Sequence, residues 1–524
     1  MRARSLSIVA LVAILMASAS PAAGQASYRL SPVGGRTTLL GGTGMTYGRD
    51  AAAGFVNPAT AVLVDDQRLS FSVNFYRMSV LTSSHWYQPG PIDRTRFGNV
   101  APDDASINDF SFEPLPSSLC LFFKVGDMLA FFGKTARSER TRDARLGLCA
   151  ATTYRSSLDL AAREFSSAGP TGTTRQAQTI SQYQNRFALG PTYALRIDDR
   201  LSVGAAVHGV ISTQRSLLFN SGVTYGSGTT PVTSTFSSAS RGDAFGFDAI
   251  LGATYRFGNR QTFGVAVQTP LVHTFGVSSA NGNTAFDGAG AASGGFSARG
   301  SLVVHSPLRL SLGTGFEATW GNVAFDVSYF TPATAYRAEL EGNDIALSGG
   351  NAIDRPKTLD ASQRTRGVVN MAVGAELGLS SALSLLTGLS TDVSALGKGD
   401  LRGGEYNYFS ERTSRVGTSI GINSHGEGGE IMFGTELSYG WGERLAVNPY
   451  QLPPTLGTSP TDIFTVVFVI AGSTSLHNIK RAVEDVREVV NPRTKKPEPQ
   501  RNGEDREKGQ RDTGPGIVPT GPTR

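Results

Sequence analysis

After its first 24 residues the chain has no apolar run of the roughly 18 residues that a membrane-spanning helix needs. A bundle of transmembrane helices is thereby excluded. Charge is scarce too. Asp, Glu, Lys and Arg make up 17% of the 524 residues, against about 25% in an ordinary soluble domain. The net charge of +5 sits at the two ends, and residues 25–490 carry 38 basic and 38 acidic side chains. Without a basic stripe, no nucleic-acid partner is expected. The six histidines are scattered without ligand spacing, so neither metal nor cofactor is expected. Cysteine is limited to Cys120 and Cys149. A hairpin turning at Gly126-Asp127 would set Cys120 opposite Gly133, far from Cys149. A disulfide then needs the next loop to fold back, and two buried thiols are the alternative.

Glycine, by contrast, is abundant, with 62 residues. Arg2 and Arg4, an apolar core from Leu6 to Ala17 and the small residues Ala22-Ala23-Gly24 have the layout of a secretory signal peptide over 1–24, cut after Gly24 or after Ala26. The mature sequence alternates with period two. Ile431, Phe433, Thr435, Leu437, Tyr439 and Trp441 are interleaved with Met432, Gly434, Glu436, Ser438 and Gly440. The same pattern recurs over Leu308–Glu317 and over Phe245–Phe257. Such alternation means strands with one apolar and one polar or small face. The second face lacks the Lys and Glu of a soluble sandwich and matches the polar interior of an outer-membrane barrel.

Strands are predicted at 68–78, 116–125, 128–138, 184–197, 200–213, 244–257, 261–277, 305–319, 322–336, 366–378, 382–394, 413–423, 430–442 and 462–473. Short and long connections alternate between these fourteen, as between periplasmic turns and external loops. The fold class is therefore all-β: a transmembrane antiparallel barrel over 68–475, with both termini periplasmic and a monomer expected. Residues 25–67 precede the first strand and hold small-residue stretches, 476–490 read as a short amphipathic helix and 491–524 as a disordered polar tail. Aromatic residues near strand ends, among them Tyr193, Tyr255, Phe257, Tyr329, Tyr439 and Trp441, suit the interfacial girdles, with outer-membrane lipid as a partner.

The inward positions collect Arg196, Asp248, Arg256, Arg309, Glu317, Asp326, Glu376 and Glu436. These read as a ladder of salt bridges and hydrogen bonds in a wet lumen. Catalysis has little support, and no enzyme is expected. Gly417-Thr418-Ser419-Ile420-Gly421 matches the nucleophile-elbow pattern, but within an alternating strand rather than between strand and helix.

Residues 41–61, GGTGMTYGRDAAAGFVNPATA, resemble the N-terminal hatch of the FadL/TodX family of outer-membrane hydrophobic-compound transporters. Residues 245–270 and 306–330 are similar to two hairpins of that family. The resemblance implies a fourteen-stranded barrel plugged by the hatch, residues 25–67, which some of the inward charges would fix. It implies uptake of long-chain fatty acids or other hydrophobic molecules, with lateral exit near a kinked third strand. On this resemblance the gate residues are Gly41, Gly42, Gly44, Gly54, Asn57, Pro58 and Ala59, and Gly133 is the candidate for the lateral opening. Two other readings remain: a porin for small polar solutes, and an enzyme or binding protein displayed on a barrel. The Gly/Ser/Thr-rich loops at 214–243 and 278–304 lack the apolar residues of an external hydrophobic groove.

Overall fold

The computed structural model describes Tyr28 and residues 33–64, 68–87, 105–131, 141, 143–169, 172–226, 231–287, 292–348, 351–397, 401, 411–426, 429–448 and 455–475. The expected signal peptide, the 476–490 and 491–524 segments and Gly133 lie outside them. The chain divides into Met1–Leu476 and His477–Arg524, and only the first unit holds described residues.

Eighteen strands form one antiparallel sheet. They are β1 (Arg68–Tyr87), β2 (Ala105–Lys124), β3 (Arg145–Gly169), β4 (Gly172–Arg196), β5 (Leu201–Gly226) and β6 (Val232–Phe257). Next come β7 (Gln261–Gln268), β8 (Val272–Asp287), β9 (Ala292–Val304), β10 (Arg309–Ala318), β11 (Gly321–Phe330) and β12 (Ala333–Ser348). The last six are β13 (Asn351–Thr365), β14 (Val368–Gly378), β15 (Leu383–Asp392), β16 (Glu411–Gly426), β17 (Gly429–Asn448) and β18 (Thr455–Ser475). Because β1 pairs with both β2 and β18, the sheet closes on itself. Closure removes every free edge, which a membrane wall requires.

The strands outnumber the fourteen predicted because four staves of the wall are each broken in two. β7 and β8 both pair with β6, so they are two segments of one stave. β9 with β10, β11 with β12 and β13 with β14 are joined end to end in the same way. Pro270, Pro307 and Pro332 stand in three of the breaks, where a missing N–H cannot serve the ladder. Side-chain hydroxyls of the next stave replace lost carbonyl acceptors. Leu271 N–H donates to Ser306 Oγ (2.9 Å), Leu308 N–H to Thr331 Oγ1 (3.1 Å) and Ala333 N–H to Thr365 Oγ1 (2.5 Å).

Two expectations need correction at the third strand. Val125–Phe131 is a helix (α2, following α1 at Gly35–Leu39), and β3 begins only at Arg145. The segment VGDMLAF has adjacent apolar residues rather than alternation, and Asp127 in the first turn favours a helix N-terminus. The second connection, between β2 and β3, is therefore long. Cys120 stands directly opposite Cys149 across β2 and β3, and the two form a disulfide. The strands also run well into the stretches read as loops, because there both faces are polar and the apolar alternation disappears.

The outer face carries an apolar band. On β6, Phe247, Leu251, Tyr255 and Phe257 point outward and are exposed, as are Val207 and Ile211 on β5. Beyond it charges enter the same faces, Arg215 on β5 and an Arg241–Asp243 pair (2.9 Å) on β6, although Leu217 and Phe219 are still exposed further along β5. From Phe245 to Phe257 the apolar stretch is about as long as the 9–11 tilted residues that cross a bilayer. No helix among the described residues is long and apolar enough to cross a membrane. The strands are the spanning elements.

Residues 33–64 sit within the ring of strands. α1 touches β1 and β15–β18, the short helix Ala51–Gly54 touches β1–β3, and the short helix Pro58–Leu63 touches β3–β6. Nearly every residue of this plug is buried.

Candidate functional site

The plug is fastened to the wall by polar side chains from inward positions. Arg36 donates through both terminal guanidinium nitrogens to Glu376 on β14, whose carboxylate also accepts from Asn322 (3.0 Å) and Ser384 (2.9 Å). Asp326 Oδ2 on β11 accepts the backbone N–H of Gly44 (2.7 Å) and Met45 (3.0 Å). Arg309 on β10 donates to Phe55 O (2.7 Å). Ser419 on β16 donates to Leu39 O (2.8 Å) and accepts from Gly41 N–H (3.1 Å). Its hydroxyl is thus engaged with plug backbone, and the strand setting denies it a nucleophile's elbow.

Within the plug, Asn57 and Asp50 organise the turns. Asn57 is extended (φ −145°), accepts Ala59 N–H (3.2 Å) to cap the helix Pro58–Leu63, and donates to Met45 O (2.7 Å) and Ala253 O (3.3 Å). Proline at the first helical position has no N–H to lose, which suits it there. Asp50 accepts from Thr37 N–H (3.2 Å) and Ala52 N–H (3.0 Å). Burial pushes its carboxyl up, and these two donors oppose that. Gly41 has φ +67°, and a Cβ there would lie 2.7 Å from Leu389 N. At Gly54 it would lie 2.7 Å from Cys149 Sγ. The wall answers with its own glycines. A Cβ on Gly204, Gly252, Gly264, Gly374 or Gly388 would strike Pro58, Asn57, Met45, Leu40 or Gly41. Gly44 and Ala59 are likewise buried in the plug.

A cavity of about 210 Å³ lies between plug and wall. Met45, Phe55 and Val56 of the plug face Val210, Leu271 and Phe330 of the wall across it. Polar groups interrupt this lining. His208 Nδ1 lies 3.0 Å from Asp248 Oδ1, Gln268 donates to Asp248 Oδ2 (2.8 Å), and Phe55 stacks on the His208 ring at 4.6 Å. Arg186, Arg309 and Asp326 also line the space.

Beside the cavity the wall is unusual. β2 and β3 pair only from Lys124–Arg145 to Ser118–Ala151. Beyond that level β2 continues on β1, and β3 on β4. The β3–β4 register shifts between Thr152 and Tyr154. Below the shift Cys149 and Ala151 face inward; above it Tyr154 and Leu158 do. Thr153 is the extra residue, the sign of a β-bulge.

Of the eight polar positions singled out from sequence, Asp248, Arg309, Asp326 and Glu376 meet at the plug or the cavity. The rest stand apart. Arg256 and Glu317 pair at 3.1 Å, half exposed, near the short turns. Arg196 is exposed at the end of β4, and Glu436 lies half-buried opposite Ser419. Sequence reasoning missed Arg36, Tyr154 and Arg186. Arg36 had a signal, as a cation just before the small-residue plug. Arg186 had one too, since it shares the inward face of Arg196 within the strand predicted at 184–197; Tyr154 lies in a stretch without apolar alternation and had none.

No family model and no curated protein matches the chain by sequence. Among solved structures, it is similar to the toluene transporter TbuX of Ralstonia pickettii, with 15% identity over 86% of this chain and 99% of that one (TM-score 0.46). It is also similar to the toluene transporter TodX of Pseudomonas putida, with 14% identity over 86% and 100% (TM-score 0.47). A Pseudomonas aeruginosa FadL homologue is similar at 13% identity over 87% and 100% (TM-score 0.48).

Proposed function

We propose that the chain takes up small hydrophobic molecules, fatty acids or hydrocarbons, across an outer membrane by diffusion, with no chemical step. The observation that carries this reading is the cavity held between a fastened plug and a membrane wall, apolar over much of its surface. A greasy solute gains nothing from an aqueous pore, whereas an enclosed apolar site removes its surface from water at about 25 cal/mol per Å². The stretch over which β2 and β3 do not pair with each other, beside Thr153 and Tyr154, supports a lateral exit toward lipid. The chain acts as a monomer with both termini periplasmic. Ligand entering the cavity displaces the segment from Gly41 to Ala59 and opens the route.

Uptake into proteoliposomes tests the reading. Radiolabelled toluene or dodecanoate should enter faster with the protein than without it, while planar bilayers show no large, stable ion current. A steady current without hydrophobe uptake would establish the porin instead.

A further inference from the structure

The disulfide lies where β2 and β3 begin to separate. Above Cys120–Cys149 the pairs Leu119–Ala150 and Ser118–Ala151 still join the strands, and then the seam opens. Below it the ladder runs through Leu121–Leu148 to Lys124–Arg145, near the short-turn end of β4. That lower end is tied down, because Arg145 Nε donates to Val64 O of the plug (2.9 Å) and Nη1 to Asp143 O (2.8 Å). The bond sits at the level of the apolar band. Leu119 and Leu148, next to the two cysteines, are exposed on the outer face, as is Leu189 beside the Gly190 that pairs with Cys149. On the inner face both cysteines are fully buried against the short helix Ala51–Gly54, with Cys120 Sγ 3.4 Å from Ala51 O.

A short ladder frays from its open end, since each hydrogen bond contributes little net free energy and local opening costs less than unfolding. Here the open end is the upper one, where each strand turns to another neighbour. A covalent bond does not fray, and an exported chain can keep it. We infer that Cys120–Cys149 is the stop of the lateral seam, and that it sets the largest cross-section able to leave the barrel sideways. A single flat ring passes above the bond. A wider hydrophobe of the same chemistry needs the lower pairs to part as well, and the bond holds them. The inference rests on the reading of the seam as an exit toward lipid.

Two forms of the full chain remove the bond. One is Cys120→Ala/Cys149→Ala. The other is the assembled barrel treated with a phosphine until both thiols are released, which keeps both sulfurs and needs no refolding. Amide exchange is read first. Amides shared between β2 and β3 below the bond should exchange about tenfold faster or more in both forms, while those of β16 and β17 stay unchanged. Uptake into proteoliposomes is read second, with toluene and 1,3,5-triisopropylbenzene. The linked chain should pass toluene and leave triisopropylbenzene at the protein-free rate, whereas both unlinked forms should pass the two. Unchanged exchange below the bond would overturn the inference, and so would an effect confined to the alanine variant, which would point to packing. Triisopropylbenzene passing through the linked chain, or still excluded from the unlinked forms, would overturn the size limit. If the linked chain takes up neither solute, the exit reading fails, and exchange alone decides whether the bond holds the seam.

Discussion

Arg36 and Glu376 show how much one wall side chain decides about the plug. Both are buried, and four hydrogen bonds converge on the carboxylate. Removing one partner of a buried pair leaves the other charge uncompensated, at about 3–5 kcal/mol. Ser419 offers neutral hydrogen bonds, each contributing about 1 kcal/mol. Glu376→Ala should therefore loosen the plug far more than Ser419→Ala. Protease sensitivity of the 33–64 segment in otherwise folded barrels checks the order. Equal sensitivity in the two variants would count against Glu376 as the main fastening.

Among elements, the β3 bulge has the largest effect for its size, because a single residue changes which side chains face the lumen. Deleting Thr153 should restore uniform alternation and send Tyr154 and Leu158 to the outer face. The expected outcome is a barrel that still assembles, seen as retained heat-modifiable mobility, but with toluene and dodecanoate uptake reduced toward the protein-free rate. The bulge also marks the limit of what the sequence makes legible. β6, β10 and β17 are plain in the chain because one face meets lipid and the other a polar interior, which forces alternation. The three prolines at the stave breaks were visible, yet a break and a bend look alike until pairing is known. Where the sequence is mostly polar at both parities, as from the later part of β3 into the first part of β4, no hydrophobic period exists and the strands read as loops. The disulfide was hidden by the same error. Placing a turn at Gly126-Asp127 moved Cys149 away from the strand that carries it opposite Cys120. Asp326 and Glu376 were legible as inward charges, but their partners in the plug emerge only from closure of the ring.

For the whole molecule, plug and wall form one packed interior, and the glycines on both sides let backbone meet backbone. Deleting residues 33–64 should leave a barrel with a polar lumen and no filling. Planar bilayers should then show a large, stable conductance that the full chain lacks. A deletion variant that inserts and remains silent would mean that the wall alone occludes the lumen.

The path of the chain has a consequence for the order of assembly. Arg36 meets Glu376 at a separation of 340 residues, and Leu39 meets Ser419 at 380. The plug is made early, but its anchors on β14 and β16 are made late. The residues just after it, in β1, must pair with β18 to complete the ring. Residues 36–41 therefore reach these partners only once the late strands are in place, although the helix Pro58–Leu63 can already meet β3–β6. Contacts of such long range slow folding, since the ordering cost precedes the reward. The rate at which this barrel matures should be set by its two ends meeting rather than by its hairpins.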